Sequence, residues 1–200
     1  DELLDLQQVD STRLALVGFS RGGLLSLRVG QLYPEQFKTA VLMAPAPGKI
    51  FPDGSTTMDQ YLMADNMALL NNTSQFLVMV ANNDVDATVD HVAIAGNAYD
   101  KLLEYHIGAD WHKFADYQDP GSQCPSTDPV GHCMFQSQDS GGQALMEKDG
   151  YYWSHVITHL NVNLSYIPGD FDSDGDIDGD DFLVWQAAFP TFSNATAGDG

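Results

Sequence analysis

The sequence predicts an α/β fold, a parallel sheet with helices packed on both of its faces. Short unbroken aliphatic runs recur along the 200 residues, "LALV" at 14–17, "AVLMA" at 40–44 and "FLVMV" at 76–80. A strand with no polar alternation is buried on both faces, which is the condition of parallel strands. Between these runs lie segments whose apolar residues recur every three or four positions, the helical period. Strand and helix patterns therefore alternate, the order that builds parallel crossover units.

Taken in order, residues 2–8 read as the end of a helix and residues 9–12 as a turn. A buried strand follows over 13–19, then a helix over 24–32 that Pro34 stops, because proline has no amide to continue the ladder. Residues 39–44 form a second strand. Residues 45–75 are rich in Gly, Pro, Thr and Asn and read as an insertion over one end of the sheet, with a helix at 58–70. Residues 75–80 are a third strand closed by the polar turn "ANND" at 81–84. A helix is expected over 90–105, a weaker strand over 111–117, a long loop, and a last helix over 151–160. In such a sheet the ligand site lies at the carboxyl ends of the strands.

The composition, 44% apolar with 18% charged residues, supports a packed core. A formal charge of −20 argues against nucleic acid, whose phosphates need a basic face, and against an anionic membrane surface. There is no apolar run near the length that spans a bilayer. The chain opens at Asp1 without Met, so a cut amino terminus is expected and the lack of a signal peptide is uninformative. Residues 168–200 hold eight Asp and no Lys or Arg. They form a compositional unit of their own, and domains are expected at 1–165 and 166–200.

Between the first strand and its helix lies "VGFSRGG", in which Gly18, Ser20 and Gly22 match G-x-S-x-G. A serine at the tip of a very tight strand-to-helix turn is forced into strained backbone angles, so the residues two before and two after it are expected to be small. The hydroxyl then stands exposed at the sheet's edge. The amide of Arg21 points to where an oxyanion would form, at the amino terminus of the helix.

These residues, with "RLALVGFSRGG", "YPEQFKTAVLMAP" and "FLVMVANND" in that order and a late His, resemble the second half of the α/β-hydrolase superfamily over about residues 1–162. The texture is closest to dienelactone-hydrolase-like and related secreted esterases. The resemblance implies a nucleophile, an acid and a histidine in that chain order. It places the acid at Asp84, with Asp86 as the alternative if the turn is longer. It places the imidazole at His132, in "PVGHCMF", with His155 as runner-up. His91, His106 and His112 read as surface or packing residues. His155 and His159 share a helix face at four-residue spacing but lack a third nearby ligand, so they too read as packing. A second oxyanion donor is expected in a loop upstream of residue 1.

Cys124 and Cys133 bracket the loop that carries His132. A disulfide between them would restrict the unfolded loop, contributing about 2–3 kcal/mol, and would require an oxidising compartment. Cys133 as a nucleophile is not favoured.

In the acidic tail, "DFDSDGDIDGDD" sets Asp170, Asp172 and Asp174 at positions 1, 3 and 5 of a calcium loop. Gly175 stands at the sharp turn, Asp176 at the carbonyl position, Asp178 at position 9 and Asp181 at position 12. Closely packed carboxylates repel one another without a cation. With the helical pattern "FLVWQ" after it, the loop resembles one half of a type I dockerin, an EF-hand-like calcium module. That resemblance implies a cohesin-like partner or an anchor at a cell surface, and Gly198-Asp199 is where a second loop would open.

The expectation that follows is a secreted bacterial serine hydrolase for carboxylic esters, with Ca2+ in the tail and no cofactor for catalysis. Esters linked to polysaccharides are the favoured substrates, by analogy with calcium modules fused to other enzymes. A prolyl-oligopeptidase-like peptidase and an inactive scaffold whose tail does the binding are the alternatives.

Overall fold

The computed structural model describes residues 13–70, 75–117, 128–135 and 151–164, together with Gly179, Phe182 and Leu183. The chain divides into two compact units, Asp1–Leu164 and Ser165–Gly200. In the first, four strands form one sheet: β1 (Ala15–Phe19), β2 (Thr39–Met43), β3 (Gln75–Ala81) and β4 (Gly108–Phe114). They lie in the order β1-β2-β3-β4 and every neighbouring pair is parallel. All carboxyl ends therefore meet at one edge.

The connecting helices are α1 (Arg21–Leu32), α2 (Thr57–Tyr61), α3 (Ala64–Met67) and α4 (His91–Glu104). A 3-10 helix (Val130–Phe135) and α5 (Tyr151–Asn163) follow β4. Side chains alternate across a strand, so the contacts assign each helix to a face. Phe76 lies near Gly30 of α1, and Trp111 meets Tyr99 of α4 with ring centroids 5.7 Å apart. On the opposite face Thr39 bonds His159, and Phe114 meets Tyr152 at 6.0 Å, both partners belonging to α5. Both faces of the sheet are thus covered, as the unbroken aliphatic runs require. Strand β2 is buried throughout and β3 in all but its first residue, whereas β1 leaves Val17 43% exposed.

Three elements depart from the sequence expectation. The single helix expected at 58–70 is two short helices. The buried side chain of Gln31 donates to the Tyr61 carbonyl at 2.8 Å, which supplies an acceptor's partner at the end of α2 in place of a further helical amide. The amino end of α2 is fixed by a capping box between Thr56 and Asp59. Strand β4 begins at Gly108 rather than 111, paired with Gln75. The Gln75 side-chain amide fills the space beside Gly108, 2.1 Å from where a Cβ would stand, and the opening residues Gly108, Ala109 and Asp110 read as loop in the sequence. Finally, the long loop after β4 contains the 3-10 helix.

Candidate active site

The bend after β1 sets Ser20 at φ 54° and ψ −115°, a region that costs a non-glycine residue about 1–3 kcal/mol. Its surroundings hold it there. Ser20 N–H donates to the Met43 carbonyl at 2.9 Å, and the Ser20 carbonyl accepts from Leu24 at 3.2 Å and from Ala46 at 2.9 Å. A Cβ on Gly18 would lie 2.2 Å from the carbonyl oxygen of Gly22, so the chain passes only because residue 18 has no side chain. The second crowded position is not Gly22, whose Cβ would meet nothing within 4 Å. It is Gly23, where a Cβ would sit 3.2 Å from both the Gly18 carbonyl oxygen and Pro45. The crowding is that of the first turn of α1 crossing residue 18: the Gly22 backbone lies against that residue, while a Gly22 side chain would point into open space. Arg21 is the first residue of α1, so its amide has no intrahelical acceptor.

Asp84 follows the end of β3. Its amide bonds the Ala81 carbonyl at 3.1 Å, and Asn83 pins the turn by accepting from Tyr117 N–H and donating to the Tyr117 carbonyl, both at 2.9 Å. His132 lies in the 3-10 helix, and Gly131 brings that helix against the turn. A Cβ on Gly131 would be 2.4 Å from the amide nitrogen of Asp84.

The structure brings Ser20, His132 and Asp84 into one chain of hydrogen bonds. His132 Nδ1 lies 3.1 and 3.0 Å from the two carboxylate oxygens of Asp84, and His132 Nε2 lies 3.0 Å from Ser20 Oγ. A carboxylate only accepts, so Nδ1 carries the proton and Nε2 presents its lone pair to the hydroxyl. Asp84 is fully buried and His132 nearly so. Such a carboxylate needs a partner that can become positive, since an uncompensated buried charge is costly.

The other candidates lie elsewhere. Asp86 is exposed and closes its own turn, accepting from Thr88 N–H, Thr88 Oγ and Val89 N–H. Those bonds, the Thr88 hydroxyl's first, hold its carboxyl below the usual range. His155 packs its ring 3.8 Å from that of His112. His159 is buried against Thr39 Oγ at 2.6 Å and near Asp110 at 3.5 Å, with burial pushing its pKa down. His106 is exposed, at φ 60° just past the end of α4. Cys124 and Asp170, Asp172, Asp174, Asp176, Asp178 and Asp181 lie outside the described residues.

One residue at the site has the sequence pattern of a surface or packing position. His91, the first residue of α4, stacks its ring on His132 at 4.2 Å between centroids and 29° between planes. Its position seven residues past the acid, at the start of a helix, was the only available sign. Among the described residues, Asp84, His91 and His132 are the one group whose ligand atoms are close enough to hold a metal ion. The Asp84 carboxylate oxygens and His132 Nδ1 are engaged with each other, and His132 Nε2 with Ser20 Oγ. Among the described residues no helix is long and apolar enough to cross a membrane.

The chain matches no protein-family model and no curated protein. It is similar in fold to a Porphyromonas gingivalis dipeptidyl peptidase 4, with a TM-score of 0.52 and 15% identity, over 81% of this chain and 21% of that one. A thermostable esterase aligns with a TM-score of 0.47 and 17% identity, over 80% of this chain and 33% of the other. A ferulic acid esterase aligns with a TM-score of 0.44 and 16% identity, over 59% and 50%. The chain thus spans half or less of the length of each. These neighbours are of the α/β-hydrolase type, and at such identities the likeness is one of fold.

Proposed function

We propose that this chain carries the nucleophile, base and acid of a serine hydrolase that cleaves carboxylic esters. The observation that carries the reading is the unbroken path from Asp84 through His132 to Ser20 Oγ. A serine hydroxyl is a weak nucleophile until a base takes its proton as it attacks. His132 Nε2 is placed to do so. Ser20 Oγ bonds to the ester carbonyl carbon while its proton passes to Nε2, and the oxyanion forms at the amino end of α1 beside the Arg21 amide. Collapse of this intermediate breaks the bond to the alcohol oxygen, which takes the proton from Nε2. Water then repeats the sequence on the acyl-serine, releasing the acid and free Ser20. Throughout, Asp84 keeps Nδ1 protonated and balances the imidazolium.

A strained serine beside an imidazole serves amide hydrolysis as well, and the leaving group tells the two apart. Full-length protein is expected to turn over p-nitrophenyl acetate far faster than a proline p-nitroanilide. Faster release from the anilide would replace the esterase reading with a peptidase one.

The reading extends, on sequence alone, to the tail and the compartment. Asp170, Asp172, Asp174, Asp178 and Asp181 side chains and the Asp176 carbonyl would hold one Ca2+, whose hard-cation chemistry suits an all-oxygen set. A Cys124–Cys133 disulfide, read from the sequence, would belong to a secreted bacterial enzyme, because such a bond needs an oxidising compartment. Delivery by such a tail, through a cohesin-like partner or a surface anchor, favours esters carried on polysaccharides. Calorimetric titration is expected to show one Ca2+ bound per chain, with a Kd up to about 10⁻³ M, lost in the Asp172→Ala, Asp174→Ala double variant. The absence of calcium-dependent heat in the parent protein would remove the calcium module from the proposal.

A further inference from the structure

We propose that His91 is a positioning residue for His132, its ring holding the imidazole in line between Ser20 and Asp84. The inference rests on the serine-hydrolase reading and adds to it a residue outside the Ser20, His132 and Asp84 path. His132 sits on a short 3-10 helix whose ring orientation the backbone alone does not set. Among the described residues, Phe19 and His91 meet that ring, at 4.7 Å and 4.2 Å, the latter stacked. Phe19 is the last residue of β1, directly before Ser20, and His91 begins the helix that follows Asp84.

His91 is itself fixed. Its amide donates to the Asp84 carbonyl at 3.1 Å, and its Nδ1 lies 3.3 Å from the Pro45 carbonyl, which accepts and so sets the proton on Nδ1. The side chain of Asp90 caps α4 by accepting from Ala93 N–H at 2.8 Å. His91 is 7% exposed, so any movement of His132 toward it meets a packed wall.

The same ring must not compete for charge. Among the described residues the charged or titratable groups that face His91 are Asp84, His132 and Asp86. Burial lowers its pKa against the pull of the Asp84 carboxylate, and a charge on His132 acts in the same direction as burial. Both effects favour the neutral form of His91 when His132 takes the proton from Ser20. A flat neutral ring can brace an imidazolium, whereas a second cation at 4.2 Å would oppose it.

The test uses the full chain with His91→Ala, His91→Asn and His91→Phe. Phenylalanine keeps a flat ring; asparagine keeps a donor for Pro45 without one. Two readouts are taken: the downfield proton resonance of His132 Nδ1–H, and the second-order rate at which a fluorophosphonate labels Ser20 from acid to neutral pH. Alanine and asparagine are expected to broaden or lose the resonance and to slow labelling by about 10- to 100-fold, the scale of a misplaced catalytic group. Phenylalanine is expected to keep the resonance, recover much of the rate, and show a shallower fall of rate toward acid, because one imidazole fewer titrates. If alanine prevents folding, the contrast between asparagine and phenylalanine decides. Labelling and resonance in His91→Asn equal to wild type would overturn the inference, as would a phenylalanine variant as impaired as asparagine. Wild type that is not labelled at all would instead refute the serine-hydrolase reading, and the resonance would still score the role of His91.

Discussion

Replacing Ser20 with alanine is expected to lower ester hydrolysis by about 10⁴- to 10⁶-fold and to abolish labelling by a fluorophosphonate. The magnitude is the one found when the nucleophile of such a set is deleted and only binding and oxyanion stabilisation remain. The geometry makes the assignment specific. The Ser20 hydroxyl receives the lone pair of His132 Nε2 at 3.0 Å, and a methyl group can neither donate that proton nor form the acyl bond. Loss of activity must be separated from loss of fold, and the backbone supplies the means. Residue 20 stands at φ 54°, where alanine is strained as serine is, but glycine is not. Ser20→Gly is therefore expected to be as inactive as Ser20→Ala yet to melt at a higher temperature. Labelling that persists in both variants would place the nucleophile elsewhere. No labelling of the parent protein would favour the inactive scaffold.

Why the serine was legible, and parts of its surroundings were not, follows from where each signal resides. The bend at Ser20 is local: an aliphatic strand, two glycines and a helix within a few residues. Asp84 is nearly as local, since it closes a strand whose run of five apolar residues marks its end. His132 could be read only through the chain order that the resemblance implies, because "PVGHCMF" has no periodicity and its 3-10 helix leaves no pattern. His91 was hidden by its own element. At the start of a helix it matches a surface or packing position, and only the packing of α4 against the 3-10 helix brings it to the imidazole. Gly22 was credited with a steric role that belongs to Gly23, because the pattern counts residues while the clash depends on where the backbone crosses. The first residues of β4 read as loop for a related reason: Gly108 is held in the sheet by pairing with Gln75 on the neighbouring strand, and neighbours across a sheet leave no mark in sequence.

The second large effect is expected from Asp84→Asn, with a fall in ester hydrolysis of about 10⁴-fold at neutral pH. The side chain is nearly isosteric, and the site is tight enough to keep it in place, with the Asp84 amide crowded by Gly131 and the Asn83 side chain bonded to the backbone of Tyr117. What changes is proton placement. A carboxylate can only accept, which forces the proton of neutral His132 onto Nδ1. An asparagine can turn its amide toward Nδ1 and donate, which stabilises the other tautomer. Nε2 then carries a proton where it must receive one, and the imidazolium of the transition state loses its counter-charge. Folding responds differently, because removing a buried charge also removes its desolvation cost. Asp84→Asn is therefore expected to unfold at a temperature close to that of the parent, although nearly inactive. Asp86→Asn provides the comparison. Its carboxylate is exposed and occupied with Thr88 and Val89, so its loss is expected to leave turnover within a few-fold of the parent. Steady-state kinetics on the two variants decide between the carboxylates: an inactive Asp86→Asn beside an active Asp84→Asn would mean that the buried hydrogen bonds of Asp84 serve packing, and that the imidazole is oriented by another group.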